Sequence, residues 1–420
     1  VSPGFIDLHA HGQSGRANEF QARDGVTTAL EMEGGVPEVG AFLRDRANDA
    51  VINFGATVAH MAARTAAMPK YAATVADMRR QMDSEGAPEI IESMQQLMGA
   101  AYEPLDPANY PELEAELDRG LREGALGFGV PHQYYPGANH DEIYRVFEMA
   151  AERDAPIFTH VRGMNIAAMQ EVIANAAATG APLHIVHVNS MSLWNIATVL
   201  DLIAGAQARG VDVTTEAYPY TAASTGLESS IFDDGWQERL QISYGDIQHQ
   251  DTGERLTEET FRKYREEGAI VIIHMMKPEW IELAMKTPFV MVASDGMPYA
   301  PGAHPRSAGT FARFMGRYVR DQELMPLIDA VAKVSTMPAK RLEAFAPQMT
   351  RKGRIQVGAD ADITVFDPGT ILDTATFEDD LSASIGVQYV LVNGVLVVRD
   401  GENVAGARPG RAIVGQYAGH

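Results

Sequence analysis

Residues 4–11 read GFIDLHAH, and this stretch decides the fold. Phe5, Ile6 and Leu8 make an apolar run too short for a helix, and it ends in two histidines one residue apart. A strand turns residues i and i+2 to the same side, so His9 and His11 can both reach one metal ion. Seven more short apolar runs follow, at 26–33 (VTTALEME), 51–57, 124–130, 156–161, 182–188, 211–218 and 289–295. Helical patterns lie between many of them. Leu113, Leu117 and Leu121 recur four apart with Glu and Arg on the other faces. Ile143 to Arg153 follows GANHDE, whose Asn139 and Asp141 are cap candidates. Alternating strands and helices predict a parallel sheet, and eight such strands close a (β/α)8 TIM-like barrel. AIVIIHM (269–275) is a ninth run, read as an insertion strand before the last barrel strand. An open doubly wound sheet is the structural alternative.

Two connections are too long for tight loops. Residues 58–110 carry Met61, Met68, Met78, Met82, Met94 and Met98, read as helix core. Residues 219–268 are polar and acidic. Both follow barrel strands, which places them at the rim where barrel active sites lie. After about residue 345 the texture becomes strand-rich, in GRIQVGADADITVFDP and VQYVLVNGVLVVRDGENV, with Asn393-Gly394 as a hairpin turn. The expected division is a barrel over 1–345 and a small flanking β-sandwich part over 346–420.

The 420 residues include 12 histidines and no cysteine, so disulfides, thiol nucleophiles and Cys-type zinc sites are excluded. A formal charge of −22 argues against nucleic acid or an anionic membrane as partner, and leaves a small-molecule substrate. No apolar run approaches the ~20 residues of a membrane helix. Association into a homo-oligomer stays open. The chain opens Val-Ser-Pro-Gly without an initiator Met, which reads as a processed or trimmed chain of unassigned compartment.

His160 ends PIFTHV, His187 lies near the end of PLHIVHV, and Asp295 ends FVMVASD. Each sits at the C-terminal end of its own predicted strand, where His9 and His11 also sit. Four histidines and an aspartate in that position point to a metal site. His and carboxylate ligands without thiolate suit Zn, with Mn, Co or Ni as alternatives. Asp7 shares a face with His9 and is placed as a partner that orients a ligand histidine.

PGFIDLHAH, His160, His187 and SDG in this order resemble the amidohydrolase superfamily of metal-dependent hydrolases over essentially the whole chain. EGALGFGVPHQYYPG (123–137), THVRG (159–163), EAYPY (216–220) and SDGMPYAPGAHPRSAGTF (294–311) narrow the resemblance to the D-aminoacylase branch, the N-acyl-D-amino-acid deacylases. GADADITVFDP and VLVNGVLVV resemble that family's flanking sandwich, whose N-terminal strands are expected to be missing here. The resemblance implies one or two divalent ions. His9, His11 and Asp295 would form one site, and His160 and His187 would contribute to a second, tighter one. Asp295 would be the general base and then the acid that protonates the leaving amine.

Two departures matter. The fourth strand, GALGFGV, has no Lys to bridge two metals, and LEMEGG places Gly34 where the D-aminoacylases carry a ligand Cys. Glu33, nearer the strand end than Glu31, is the expected replacement ligand or bridge, with Glu31 behind it. Buried glutamates without a cation are costly, which itself speaks for a metal. In HVNS, Asn189 stands where the family commonly has a Lys for the substrate carboxylate. Tyr218 and Arg306 match family substrate contacts, and Arg binds carboxylate bidentately. Arg162 and His132 are weaker candidates, and His274 is read as a core histidine. The expected activity is hydrolysis of a linear amide, an N-acyl-D-amino acid or dipeptide-like substrate. The alternatives are a cyclic amidase of the dihydroorotase or hydantoinase type, disfavoured by the absent Lys, and a non-catalytic barrel scaffold.

Overall fold

The computed structural model describes residues 1–82, 97–379 and 381–419. In chain order its strands are β1 (Ser2–Pro3), β2 (Phe5–Asp7), β3 (Val26–Val36), β4 (Asn53–Ala59), β5 (Phe128–Gly129), β6 (Ile157–Thr159), β7 (Leu183–Ile185) and β8 (Val213–Ala217). They continue with β9 (Ala223–Gly226), β10 (Ile247–His249), β11 (Ile270–Ile273), β12 (Val290–Val292), β13 (Ile363–Phe366), β14 (Val387–Val392), β15 (Val395–Arg399) and β16 (Glu402–Asn403).

Eight strands form one parallel sheet in the order β12-β8-β7-β6-β5-β4-β3-β2. Its two ends meet just past β2 and β12. Ala10 bridges Gly296, and the Gly296 carbonyl accepts from the amides of His11 (2.8 Å) and Gly12 (3.0 Å). The barrel therefore closes beside the two leading histidines. Its strands are buried on both faces, as a helix-covered parallel sheet requires. The open doubly wound alternative is thereby excluded.

The helices form where the periodicity places them. Tyr110–Glu123 buries Leu113, Leu117 and Leu121 and stops at Gly124, which takes the left-handed conformation that glycine adopts without steric cost. His140–Glu152 starts at Asn139, whose side chain accepts from the Glu142 amide. Met68 is buried and Met61 is partly buried against the core, while Met94 and the side chains of Met82 and Met98 lie outside the described residues.

The ninth run is β11. It pairs with β10 and β9 in a separate antiparallel sheet that stands over the C-terminal ends of the barrel strands. The other sheet is antiparallel in the order β1-β13-β14-β15-β16, with Asn393 and Gly394 both at positive φ in the hairpin turn. Ser2–Pro3 pairs with β13, so the chain leaves this sheet and enters the barrel at Gly4. A Cβ at Gly4 would lie 2.2 Å from the Thr27 side chain, so only glycine fits the crossing.

Candidate metal centre

β3 carries the feature that builds the site. Glu31 pairs with Ala56 and Val36 with Val58, so five steps along β3 face two along β4. The extra residues bulge out of the ladder, and Gly35 takes φ +65° to allow it. Glu31 and Glu33 therefore end in different places. Glu31 Oε2 lies 2.8 Å from His11 Nδ1, on the outside of the cluster. Glu33 reaches its middle: Oε1 lies 2.8 Å from His160 Nδ1 and 3.0 Å from His187 Nε2, and Oε2 lies 3.3 Å from His9 Nε2 and 3.2 Å from His11 Nε2. β5 makes room for this. A Cβ at Gly129 would meet the Glu33 carbonyl oxygen and the Thr57 hydroxyl at 2.6 Å, so the fourth barrel strand has no space for a side chain there.

Asp295 completes the cluster, with Oδ1 at 3.4 Å from His9 Nε2 and 3.5 Å from His11 Nε2. Two of these residues have left-handed backbones, His187 at φ +28° and Asp295 at φ +50°. Such strain in residues other than glycine persists only where the surrounding structure enforces it.

The donor chemistry fits a divalent cation. Nδ1 of His9 and Nδ1 of His11 each face a carboxylate, Glu216 at 2.7 Å and Glu31 at 2.8 Å, and so carry the ring proton. Their Nε2 lone pairs then meet 3.2 Å apart, facing Glu33 and Asp295. Lone pairs converging on acid oxygens repel unless a cation lies among them. Ligand atoms of His9/His187/Asp295, of His9/His11/Glu33 and of Glu33/His160/His187 each lie within 4.8 Å of one another. The rings show the same demand for positive charge, which a proton also meets. Burial lowers His9 and His11, but the surrounding carboxylates outweigh it and hold both well above the ordinary imidazole range. Burial likewise raises Glu33 and Asp295, yet the histidines, and for Asp295 first Arg306, hold both well below the usual carboxylate range.

The remaining candidates divide. Arg306, 1% exposed, places Nη1 2.8 Å from Asp295 Oδ2 and stacks 4.8 Å over the Tyr218 ring. Asn189 donates to the Tyr218 carbonyl at 3.1 Å, directly behind that ring. Arg162 is elsewhere. It is tied to Glu171 and to the Ala138 carbonyl at the outer rim, away from the cluster. Asp7 does not touch the His9 ring. It accepts from the His9 amide (3.1 Å) and from the Ser294 amide (3.0 Å) and hydroxyl (2.5 Å), and so braces β2 against the last barrel strand. His132 is buried beside the Thr159 hydroxyl, and burial first, then Arg162, lowers its pKa to about 3. His274 is only partly buried, so it is no core histidine; it hydrogen-bonds Gln248 and packs on Phe377.

Three residues lacked a role in the sequence reading. Glu216 in β8 holds the His9 ring. Gln133 Oε1 faces His160 Nε2 at 2.7 Å. Tyr134 sets its ring edge-on to His160 at 4.9 Å and accepts from the Thr225 hydroxyl. The signal for Glu216 was present: an acid inside a fully buried strand must find a partner.

The cluster opens into a cavity of about 560 Å³ at the C-terminal ends of the strands. His11, Glu33, His187 and Asp295 form its floor, and Met61, Ala62, Ala101 and Tyr102 from the first long connection and Ser224 to Gly226 and Glu228 to Ser230 from the second wall it. Both connections thus border the centre as expected.

The amidohydrolase family model matches residues 1–398. The chain belongs to the amidohydrolase family. This amidohydrolase is 31% identical to an N-acyl-D-glutamate deacylase from Alcaligenes xylosoxydans xylosoxydans, over 98% of this chain and 86% of that protein. It superposes with a TM-score of 0.79 and 27% identity on N-acyl-D-glutamate deacylase from Bordetella bronchiseptica, complexed with zinc and a phosphonate mimic of the tetrahedral intermediate. That match covers 98% of this chain and 88% of the other. A D-hydantoinase structure matches at TM-score 0.61 and 18% identity over 99% of this chain and 88% of its own, a likeness of fold alone. Within the family, the amidohydrolase falls in the D-aminoacylase branch. Among its described residues, no helix is long and apolar enough to cross a membrane.

Proposed function

We propose that this amidohydrolase is a zinc-dependent deacylase that hydrolyses N-acyl-D-amino acids. His9, His11, Glu33, His160, His187 and Asp295 would hold one or two ions, with Glu33 shared between the halves. A bound divalent ion supplies Lewis acidity, which acidifies water and polarises an amide carbonyl. The protein's own groups do the rest. Asp295, kept ionised by Arg306, faces the cavity and is placed to take a proton from water and return it to the departing nitrogen. Amide nitrogen leaves only when protonated, so one carboxylate serves both steps.

The observation that carries the substrate assignment lies behind Asp295. Arg306 Nε, the Tyr218 hydroxyl and the Ser224 hydroxyl are buried with no hydrogen-bond partner in the protein, and Asn189 Oδ1 shares this state. Buried polar atoms without partners are rare, and a cluster of three donors beside a reactive centre is a receptor for an anion. A linear N-acyl amino acid carries a carboxylate one carbon from its scissile nitrogen. A hydantoin carries none before its ring opens. The relatives named above support the D-configuration and zinc.

The side chain we place as neutral. Besides Glu33 and Asp295, Glu228 is the charged residue among the described residues lining the cavity, which include no Lys or Arg. An anionic side chain, such as the glutamate in the relatives' names, would find no cation there. We further read residues 1–345 as the catalytic unit and 346–420 as the flanking strand-rich part.

Comparing N-acetyl-D-leucine, its carboxamide, N-acetyl-D-glutamate and a 5-substituted hydantoin tests this reading. N-acetyl-D-leucine should be the preferred substrate. Arg306→Met should lower kcat/KM for the acid roughly 10- to 100-fold more than for the carboxamide, the worth of a charged hydrogen bond. Turnover of the hydantoin alone would overturn the assignment.

A further inference from the structure

We propose that Glu216 is a positioning residue that sets both halves of the metal centre from one point. This rests on the metal-centre reading above. Its carboxylate is 1% exposed and projects from β8, three strands from β3 around the closed barrel. Oε1 lies 2.7 Å from His9 Nδ1 and accepts from the His187 backbone amide at 3.2 Å. Oε2 lies 2.9 Å from Nε2 of the fully buried His184, whose Nδ1 lies 2.8 Å from the Thr214 hydroxyl.

An ionised carboxylate only accepts, so all three of its neighbours must donate. That fixes two tautomers. His9 carries its proton on Nδ1 and turns a bare Nε2 toward Glu33 and Asp295. His184 carries its proton on Nε2 and accepts from Thr214. The third bond acts on backbone. His187 sits at φ +28°, and its ring Nδ1 has no hydrogen-bond partner, so no side-chain bond on its outer nitrogen orients the ring. The bond from Glu216 to its amide holds the turn that aims Nε2 at Glu33. One residue thus sets a ring from the first barrel strand and a turn following the sixth strand in the chain's barrel order, counted back from β8 as its neighbour β7.

Zinc affinity separates positioning from simple support of the fold. The wild type, Glu216→Gln and His184→Gln are stripped, refolding is checked by thermal melting, and zinc is titrated against a chromogenic chelator. Glu216→Gln keeps the size and one acceptor but loses the charge and presents an amide donor to one of its neighbours. It should bind zinc about 10- to 100-fold more weakly, the usual cost of losing such a partner, with the melting point of the metal-free protein unchanged. His184→Gln touches no proposed ligand and should weaken zinc by a smaller factor in the same direction. If Glu216→Gln does not fold, His184→Gln decides alone. Wild-type zinc affinity in a folded variant overturns the proposal and leaves the metal centre standing. A wild type that binds no zinc overturns both.

Discussion

The two halves of the centre use the same ligand type and support it differently. In the His9/His11 half, each ring's outer nitrogen meets a buried carboxylate, Glu216 or Glu31. In the His160/His187 half, His160 Nε2 meets the neutral amide oxygen of Gln133, and His187 Nδ1 meets nothing. Tyr134 adds an edge-on ring contact to His160 there, beyond the edge-on histidine pair that each half contains, His160 on His187 at 4.8 Å and His9 on His11 at 5.0 Å. A carboxylate partner makes an imidazole a stronger donor. The proposed ligands are therefore supported from outside the cluster, and unequally. The resemblance assigns the tighter site to His160 and His187, whereas the supporting charge lies on the other half.

The largest effect should come from removing what the halves share. Glu33→Ala should strip metal from both and lower kcat/KM by about 10³-fold or more, near 4 kcal/mol of barrier, read by elemental analysis and kinetics. A variant retaining its full metal would show that Glu33 does not link them. The next is a restoration. A Cβ at Gly34 would lie 3.4 Å from Glu31 Oε1 and 3.9 Å from His11 Cε1, in ordinary contact and facing the first half. Adding Gly34→Cys to Glu33→Ala should recover at least one zinc per chain, and a metal-free double variant would show that position 34 faces away. The comparison itself is tested by Glu31→Gln against Gln133→Ala. The first should weaken zinc about tenfold and the second about threefold or less, and the reverse order would break the contrast.

The smallest effect on the centre belongs to the opposite end of the barrel. Lys333 donates to the carbonyls of Thr287 and Val290 at the start of β12, and burial lowers its pKa from 10.5 to about 7. Between those values the unfolded chain binds more protons, so stability rises with pH and is lost as pH falls through 7. From pH 7 to 9 the wild type should gain about 2 kcal/mol relative to Lys333→Met in urea unfolding. Zinc affinity should not follow this change, because Lys333 touches neither half.

The proposed ligands were legible because each ends a short apolar strand, and period-2 alternation fixes which side it faces. Glu33 was legible by the same rule, but its reach was not. Straight extrapolation of β3 puts Glu31 and Glu33 on one face as equals, and the bulge makes one a central bridge and the other an outer support. Asp7 shows the limit of face-sharing as an argument. It shares a side with His9, yet Ser294 lies nearer across the barrel seam and takes the carboxylate. Arg162 follows His160 in sequence by two residues, and Glu171 on the next helix draws it away.

By itself the sequence determined the barrel, the eight strands, the histidine and carboxylate donor set and the absence of thiolate. Those follow from local alternation, residue chemistry and composition. Only the tertiary structure decided that Glu33 lies between the halves, that Glu216 holds His9 and the His187 turn together, and that Arg306 turns toward Asp295. These depend on which strand ends meet when the barrel closes, and closure joins residues about 200 and 290 positions apart that no local pattern relates.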